Sequence, residues 1–137
     1  MNYENKTIAV LTTINDPNEK IGDWFDITKN KTIVVGDNKT PLNWNHPKCD
    51  YFSILDQKDS EFEIASQLPE NHYTRKNIAY LYAIKSGASR IVDTDDDNFP
   101  YNNIWNTLLS NNFEIKTLQT SQERISKNIY TYFSNMD

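Results

Sequence analysis

Four apolar runs rich in β-branched or aromatic residues constrain the fold of this chain more than any other feature. Thr7–Thr13 and residues 32–35 are continuous runs without polar alternation, which is typical of strands buried on both faces. Residues 51–55 form a third such run, and residues 91–92 a short fourth one. We therefore predict four strands in a sheet that is covered on both sides.

Helical patterns separate these runs. Apolar residues at helical spacing predict a short helix around residues 21–25. Ser60 and Glu63 fit a capping box, which predicts a short helix that starts at Ser60 and stops near the next proline. The strongest helical pattern covers residues 73–86, and its apolar centre implies burial on most faces. Gly87 follows where a left-handed C-cap belongs.

The alternation of strands and helices indicates an α/β domain with a mainly parallel sheet. A length of 137 residues fits one domain, which we assign to residues 1–137. Beyond the fourth run, residues 105–109 suggest another helix and residues 113–118 another strand. Residues 129–133 are apolar without a clear period.

Polar side chains stand where three of the predicted strands end. Thr12 and Thr13 close the first run, Asp37 follows the second, and the acidic segment 93–97 follows the fourth. Parallel α/β sheets bind ligands beyond the carboxyl ends of their strands, at the point where the strand order reverses. We therefore expect these side chains to meet at one edge of the sheet and to form a ligand site.

The distribution of charge supports the same interpretation. The chain has 19 Asp and Glu against 14 Lys and Arg, a net charge of −5. Asp93, Asp95, Asp96 and Asp97 supply four of these negative charges, so the acidity is local and marks a site. No basic face is evident, and nucleic acid is therefore not an expected partner.

The three aspartates at residues 95–97 have the form Asp-x-Asp. Carboxylates this close raise each other's pKa unless a cation neutralises them. Mg²⁺ typically takes one or two protein carboxylates together with water and substrate phosphate oxygens. Such a cation, with one further carboxylate for a ribose hydroxyl, describes a site for a nucleoside diphosphate. The competing interpretation is a solvated acidic loop or an acidic helix cap, and the position after a buried strand favours the site.

Other metal and phosphate motifs fit poorly. An EF-hand would need Gly where Asn98 stands and Glu where Ile104 stands. The sequence has no glycine-rich phosphate loop and no dinucleotide fingerprint. His46 and Cys49 have a ligand-like spacing, but two residues do not make a zinc site. A phosphatase of the Asp-x-Asp type is a weak competitor, because its nucleophile would follow an early strand.

The segment 71–77 opens the strongest predicted helix and contains Arg75 and Lys76. Two cations at a helix N-terminus can hold phosphate or the hydroxyls of a sugar. Ordinary polar surface at a helix start is the alternative. For His72 we expect a capping or packing role rather than that of a base.

Four blocks of sequence, taken together, carry a family resemblance. They are Thr-Thr-Ile-Asn at residues 12–15, Val-Val-Gly-Asp-Asn-Lys-Thr-Pro at 34–41, the Leu-Pro to Ala-Ile block at 68–84, and Ile-Val-Asp-Thr-Asp-Asp-Asp-Asn-Phe-Pro at 91–100. In this order and spacing, over about residues 7–105, they closely resemble the STELLO-like glycosyltransferases.

The resemblance implies a Rossmann-like fold of the GT-A type, a nucleotide-sugar donor, for which it favours a UDP-sugar, and Mn²⁺ or Mg²⁺ as cofactor. It makes Asp95 and Asp97 the metal ligands, with Asp97 in direct contact. The residues expected to bind the nucleotide sugar are Thr12, Thr13, Asp37, Lys39, Arg75, Lys76, Asp95 and Asp96. Within that set, the threonines and Asp37 would lie near the nucleoside and the cations near the diphosphate or donor sugar.

Three functions remain open at this point. The first is a metal-dependent glycosyltransferase. The second is a nucleotide-sugar-binding or interaction module that lacks catalysis, and the third, weaker one is a metal-dependent phosphohydrolase. About forty residues follow Asp97, so we expect most of the family's C-terminal half, with the acceptor site, to be missing. The acceptor remains unknown.

The cellular location follows only from the apolar pattern. The first apolar run, residues 8–11, is too short for a signal peptide or a membrane span. We therefore expect a cytoplasmic protein without a membrane span.

Overall fold

Four parallel strands form the centre of the fold in a computed structural model, which describes residues 6–100. The strands are β1 (Thr7–Thr13), β2 (Thr32–Gly36), β3 (Cys49–Phe52) and β4 (Arg90–Asp93). The α-helices are α1 (Asp23–Thr28), α2 (Ile54–Lys58) and α3 (Lys76–Lys85), and single 3₁₀ turns cover Glu19–Gly22, Glu63–Ser66 and Tyr73–Arg75. This confirms the predicted α/β class with a parallel, Rossmann-like sheet.

The strand order is β3-β2-β1-β4. The chain moves outward from β1 through β2 to β3 and then returns to the other side of β1 for β4. Thr13 of β1 is level with Gly36 of β2, while Val10 of β1 is level with Asp93 of β4. The strand order therefore reverses between β1 and β4, which makes this the place where such sheets bind ligands.

The two central strands are buried on both faces, as their composition predicts. Ile8 and Val10 of β1 pack with Ile78 of α3 on one face of the sheet. Leu11 packs with Ile21 and residues of β2 and β3 on the other face. Complete burial of a side chain such as Ile78 stabilises the fold by roughly 1.5–3 kcal/mol. The edge strands β3 and β4 are only partly buried.

Helix α3 has clear signals at both ends. His72 precedes the Tyr73–Arg75 turn that leads into α3, and its ring nitrogen accepts a hydrogen bond from the Thr74 N–H. At the other end, Gly87 has φ +80° and Ala88 N–H donates to the Ala83 carbonyl, which is a Schellman motif. Ile84 is 61% exposed, so burial on most faces was an overestimate for the last turn.

The prediction for residues 51–55 is correct only in its first half. β3 ends at Phe52, and Ser53 begins α2 through a capping box with Asp56. The reciprocal hydrogen bonds of that box satisfy backbone donors that a continued strand at the sheet edge would leave unpaired.

The capping box predicted at Ser60 and Glu63 is wrong. The Ser60 hydroxyl instead donates to the Gln57 carbonyl behind it, which closes α2. The Glu63–Ser66 turn that follows has no side-chain cap.

Within residues 6–100, no helix is long and apolar enough to cross a membrane. The elements predicted at residues 105–109, 113–118 and 129–133 lie outside the described residues.

Candidate functional site

A cleft of about 450 Å³ opens at the carboxyl edge of the sheet, across the ends of β2, β1 and β4. Its lining comes from the three strand ends and from the segment before α3. The lining residues are Thr12, Thr13, Ile14, Asn15, Asp37, Lys39, Asn71, His72, Tyr73, Asp95, Asp96 and Asp97. The cleft thus brings together Thr12, Thr13, Asp37 and Lys39 with three members of the Asp cluster (Asp93, Asp95, Asp96 and Asp97), as the sequence predicts. Asp93, Arg75 and Lys76 do not line it.

A buried hydroxyl holds the ends of β1 and β2 in place. Thr40 is 7% exposed, and its Oγ1 donates to the Thr13 carbonyl oxygen at 2.6 Å. Thr40 Oγ1 also accepts a hydrogen bond from the Asp37 N–H at 2.7 Å. Thr40 therefore fixes two residues of the cleft relative to each other.

The Asp37 carboxylate connects β2 to the segment before α3. It accepts hydrogen bonds from the backbone N–H groups of Asn38 and Asn71, each at 2.8 Å, and of His72, at 3.1 Å. Asn71 has φ +54°, a left-handed conformation that Asn tolerates better than most residues. Asp37 thus lines the cleft as predicted, while its carboxylate mainly orders the cleft wall.

Lys76 lies behind the Asp cluster and neutralises part of it. Its Nζ is 2.9 Å from Asp93 Oδ1, 2.6 Å from Asp95 Oδ1 and 2.9 Å from the Thr94 carbonyl oxygen. An ammonium group has three donors, and these three acceptors use them all. The sequence predicted that Lys76 would hold phosphate or sugar; in the structure it holds the aspartates and lines a neighbouring cavity of about 350 Å³.

The pKa values around Lys76 follow from these contacts. Partial burial alone would lower the pKa of Lys76, but its hydrogen bonds to Asp95 and Asp93 raise it, so the ammonium form is favoured. Partial burial alone would raise the pKa of Asp93, but hydrogen bonds from Tyr80 and Lys76 hold it below its usual value. Burial and the contact with Asp93 together raise the pKa of Tyr80 to about 12.

Asp96 fastens the end of β4 to the loop after β1. Its Oδ2 accepts hydrogen bonds from the Thr13 hydroxyl and, at 2.9 Å, from the Asn15 amide. Asn18 also donates to the Asp96 carbonyl oxygen at 3.3 Å. These contacts give Asp96 a structural task that spacing alone did not reveal.

Two charged groups of the cleft are not held by any other group of the described residues. In the part of the chain that the structure describes, the Asp97 carboxylate and the Lys39 ammonium have no hydrogen-bond or ion-pair partner, and both residues are exposed. Asp95 uses only Oδ1 on Lys76. Among residues 6–100, no group of three or more His, Cys, Asp or Glu is arranged to hold a metal ion. A cation at this place would have at most one or two protein carboxylates, from Asp95 and Asp97, and would complete its shell with water and ligand oxygens.

The structure places Arg75 away from the cleft, which corrects its predicted role in phosphate binding. The residue is 1% exposed, and its guanidinium donates to Gln57 Oε1 at 2.8 Å and to the Leu68 carbonyl at 3.0 Å. Gln57 in turn donates to the Gly36 carbonyl at the end of β2, at 2.8 Å. Arg75 therefore supports the cleft indirectly, through Gln57 and the end of β2. A buried charge needs partners, and these neutral acceptors supply them.

Sequence reasoning missed Ile14, Asn15, Asn71 and Tyr73 as lining residues. Asn15 and Asn71 stand in segments quoted for the family resemblance, but nothing in their spacing marks them. Tyr73 is 79% exposed at the cleft, in the segment 71–77 that opens the predicted helix. Only the position of Tyr73 just before α3 could have indicated that it lines the cleft.

The fold and the cleft together define a Rossmann-like α/β domain with a polar cleft at its switch point. No protein-family model matches the chain. The chain is similar to two curated proteins of Arabidopsis thaliana. It is 30% identical to "Probable glycosyltransferase STELLO2" over 87 residues, which is 64% of this chain and 11% of that protein. It is 26% identical to "Probable glycosyltransferase STELLO1" over 95 residues, or 69% of this chain and 12% of that protein.

These similarities confirm the resemblance to the STELLO-like glycosyltransferases that the motifs predict. The chain spans about 11–12% of the length of these curated relatives.

Proposed function

We propose that this domain binds a nucleotide-diphosphate sugar together with a divalent cation and supplies the donor side of a glycosyltransferase. One observation carries the proposal. The unpartnered carboxylate of Asp97 and the unpartnered ammonium of Lys39 line one cleft at the switch point of the sheet, within residues 6–100. The similarity to two proteins named as glycosyltransferases supports a glycosyltransferase-like function.

The charges of the cleft suit a diphosphate that arrives with a cation. Asp97 and the free Oδ2 of Asp95 would hold Mn²⁺ or Mg²⁺, while Lys39 would face the phosphate oxygens. When bound, such a cation neutralises the charge that develops on the leaving diphosphate. Lys76 holds the Asp95 carboxylate, and the contacts of Asp96 hold the backbone next to it, so Asp95 needs little rearrangement when the ligand binds.

A binding module without turnover is the second candidate, and one observation favours it. In the described part of the cleft, Asp97 is the one carboxylate that carries neither a hydrogen bond nor an ion pair. If Asp97 holds the cation, no carboxylate among residues 6–100 of this cleft is left to act as a general base. A base typically contributes ~10²–10⁴-fold to the rate.

Calorimetry with a panel of nucleotide sugars and their diphosphates, with Mn²⁺ and with chelator, tests the binding proposal. We expect binding that requires Mn²⁺ and that weakens at least about ten-fold in Asp97→Asn, the loss of one charged ligand contact. Asp59→Asn is the matched control, because Asp59 is exposed at the end of α2 and does not line the cleft. Binding that survives both chelation and Asp97→Asn would disprove the site.

Sugar release measured on the same preparation separates the functions. Metal-dependent transfer to an added acceptor identifies a glycosyltransferase, whereas binding without turnover identifies the module. Release of phosphate from a nucleoside diphosphate would instead indicate a phosphohydrolase.

A further inference from the structure

An aromatic pair stands at the cleft, outside the charged groups described above. The rings of His72 and Tyr73 are stacked, with centroids 4.8 Å apart and planes 25° from parallel. Both residues line the cleft. Tyr73 is 79% exposed, although large aromatic side chains usually bury most of their surface. Among the described residues its hydroxyl has no hydrogen-bond partner.

The pair is held in place before any ligand binds. The His72 N–H donates to Asp37 Oδ2 at 3.1 Å, and His72 Nδ1 accepts from the Thr74 N–H at 3.2 Å. The same ring nitrogen lies 2.9 Å from the Thr74 hydroxyl. One face of Tyr73 therefore rests on a fixed imidazole ring. Such an arrangement lowers the entropy that binding against Tyr73 would cost.

The aromatic pair and the Asp97 carboxylate lie toward opposite ends of the cleft. Asp37 ties residues 71–72 to the end of β2, whereas Asp97 follows β4, and β1 lies between these strands. Two strand spacings separate β2 from β4, roughly 10 Å. The cleft thus has an aromatic surface toward one end and a cation-binding set toward the other, which is also the order of base and diphosphate in a nucleotide.

We propose that Tyr73, resting on His72, is the surface on which the base of the bound nucleotide stacks. This inference rests on the proposed function, because it takes the cation to lie at Asp95 and Asp97 and the diphosphate to extend into the cleft from there. A sugar attached to the diphosphate lies on the far side of the phosphates from the base. A planar base, rather than that sugar, therefore reaches Tyr73.

The experiment compares UDP, inorganic pyrophosphate and UDP-glucose as probes, each titrated with Mn²⁺ into the full chain. Tyr73→Ala removes the stacking surface and Tyr73→Phe retains it. Ile84→Ala is the control, since Ile84 is an exposed residue of α3 that does not line the cleft. Thermal unfolding checks that each variant is folded, and we expect no loss for Tyr73→Ala because the side chain is exposed.

Stacking of a base on an aromatic side chain corresponds to roughly a 5- to 150-fold change in Kd on truncation to Ala. We expect Tyr73→Ala to weaken UDP at least about five-fold and to leave pyrophosphate unchanged, while Tyr73→Phe and Ile84→Ala bind UDP like the parent chain. Equal binding of UDP to the parent and to Tyr73→Ala would overturn the inference and leave the proposed function standing.

Three other results are equally decisive. Equal weakening of UDP and pyrophosphate would overturn base stacking in favour of a phosphate contact. Weakening of UDP-glucose alone would assign Tyr73 to the sugar and overturn the assignment to the base. Failure of the parent chain to bind either UDP or pyrophosphate with Mn²⁺ would overturn the proposed function and this inference with it.

Discussion

Replacement of Thr40 by Val tests the support beneath the cleft. Thr40 is 7% exposed, and its hydroxyl joins the Thr13 carbonyl oxygen, at 2.6 Å, to the Asp37 N–H, at 2.7 Å. Valine has nearly the same shape but no hydroxyl. The substitution therefore leaves one acceptor and one donor without their partner and creates almost no cavity.

The cost follows from the burial of those two groups. A buried polar group that loses its partner costs roughly 1–3 kcal/mol. Thr13 is 3% exposed, so most of that cost should come from its unpaired carbonyl group. Asp37 is half-buried, so water can partly replace the acceptor that its N–H loses. We expect Thr40→Val to lower the free energy of unfolding by about 2–4 kcal/mol.

Thr40→Ser is the matched control, because it keeps the hydroxyl and removes one methyl group, which costs about 1 kcal/mol. Urea unfolding followed by tryptophan fluorescence compares the two variants with the parent chain. A Thr40→Val variant as stable as Thr40→Ser would refute the assignment of Thr40 as the support of the cleft.

Three further predictions concern groups that are buried or half-buried. Gln57→Leu leaves the buried Arg75 guanidinium without its side-chain acceptor, and urea unfolding should show a loss of about 1–3 kcal/mol. A variant as stable as the parent chain would contradict the network. The protonated form of Tyr80 stabilises the folded chain below pH 10, and this contribution is lost as the pH rises through about 12. Ultraviolet titration of the phenolates should therefore lose a late component in Tyr80→Phe. An unchanged curve would argue against the contact with Asp93. Burial raises the pKa of the Cys49 thiol to about 12, so a thiol reagent should label the folded chain far more slowly than the urea-unfolded chain; equal rates would show that the thiol is accessible.

The sequence predicts the frame of the sheet well because local composition and tertiary environment agree there. β1 and β2 are continuous apolar runs, and their burial on both faces is what such runs require. The end of β3 was misplaced because apolar character continues into residues 54–55. The capping box of Ser53 and Asp56 decides that boundary, and its hydrogen bonds outweigh the strand propensity of the apolar residues.

The candidate site, too, could be predicted from the sequence only in part. The topology alone brings the ends of β1, β2 and β4 together, so the convergence of Thr13, Asp37 and the Asp cluster could be predicted. The individual tasks could not, because they depend on where each side chain points. Arg75 and Lys76 are adjacent in sequence, yet one is buried on Gln57 and the other holds Asp95.

The position of the bound cation is the most direct test of the proposed nucleotide site. Amide correlation spectra of the isotope-labelled chain, recorded with UDP and substoichiometric Mn²⁺, report which residues lie near the paramagnetic ion. The proposal predicts that broadening centres on residues 95–97 and on the adjoining residues 12–15 at the end of β1, and that Asp97→Asn abolishes it. Broadening centred elsewhere, or unchanged in Asp97→Asn, would contradict a cation site at the switch point of the sheet.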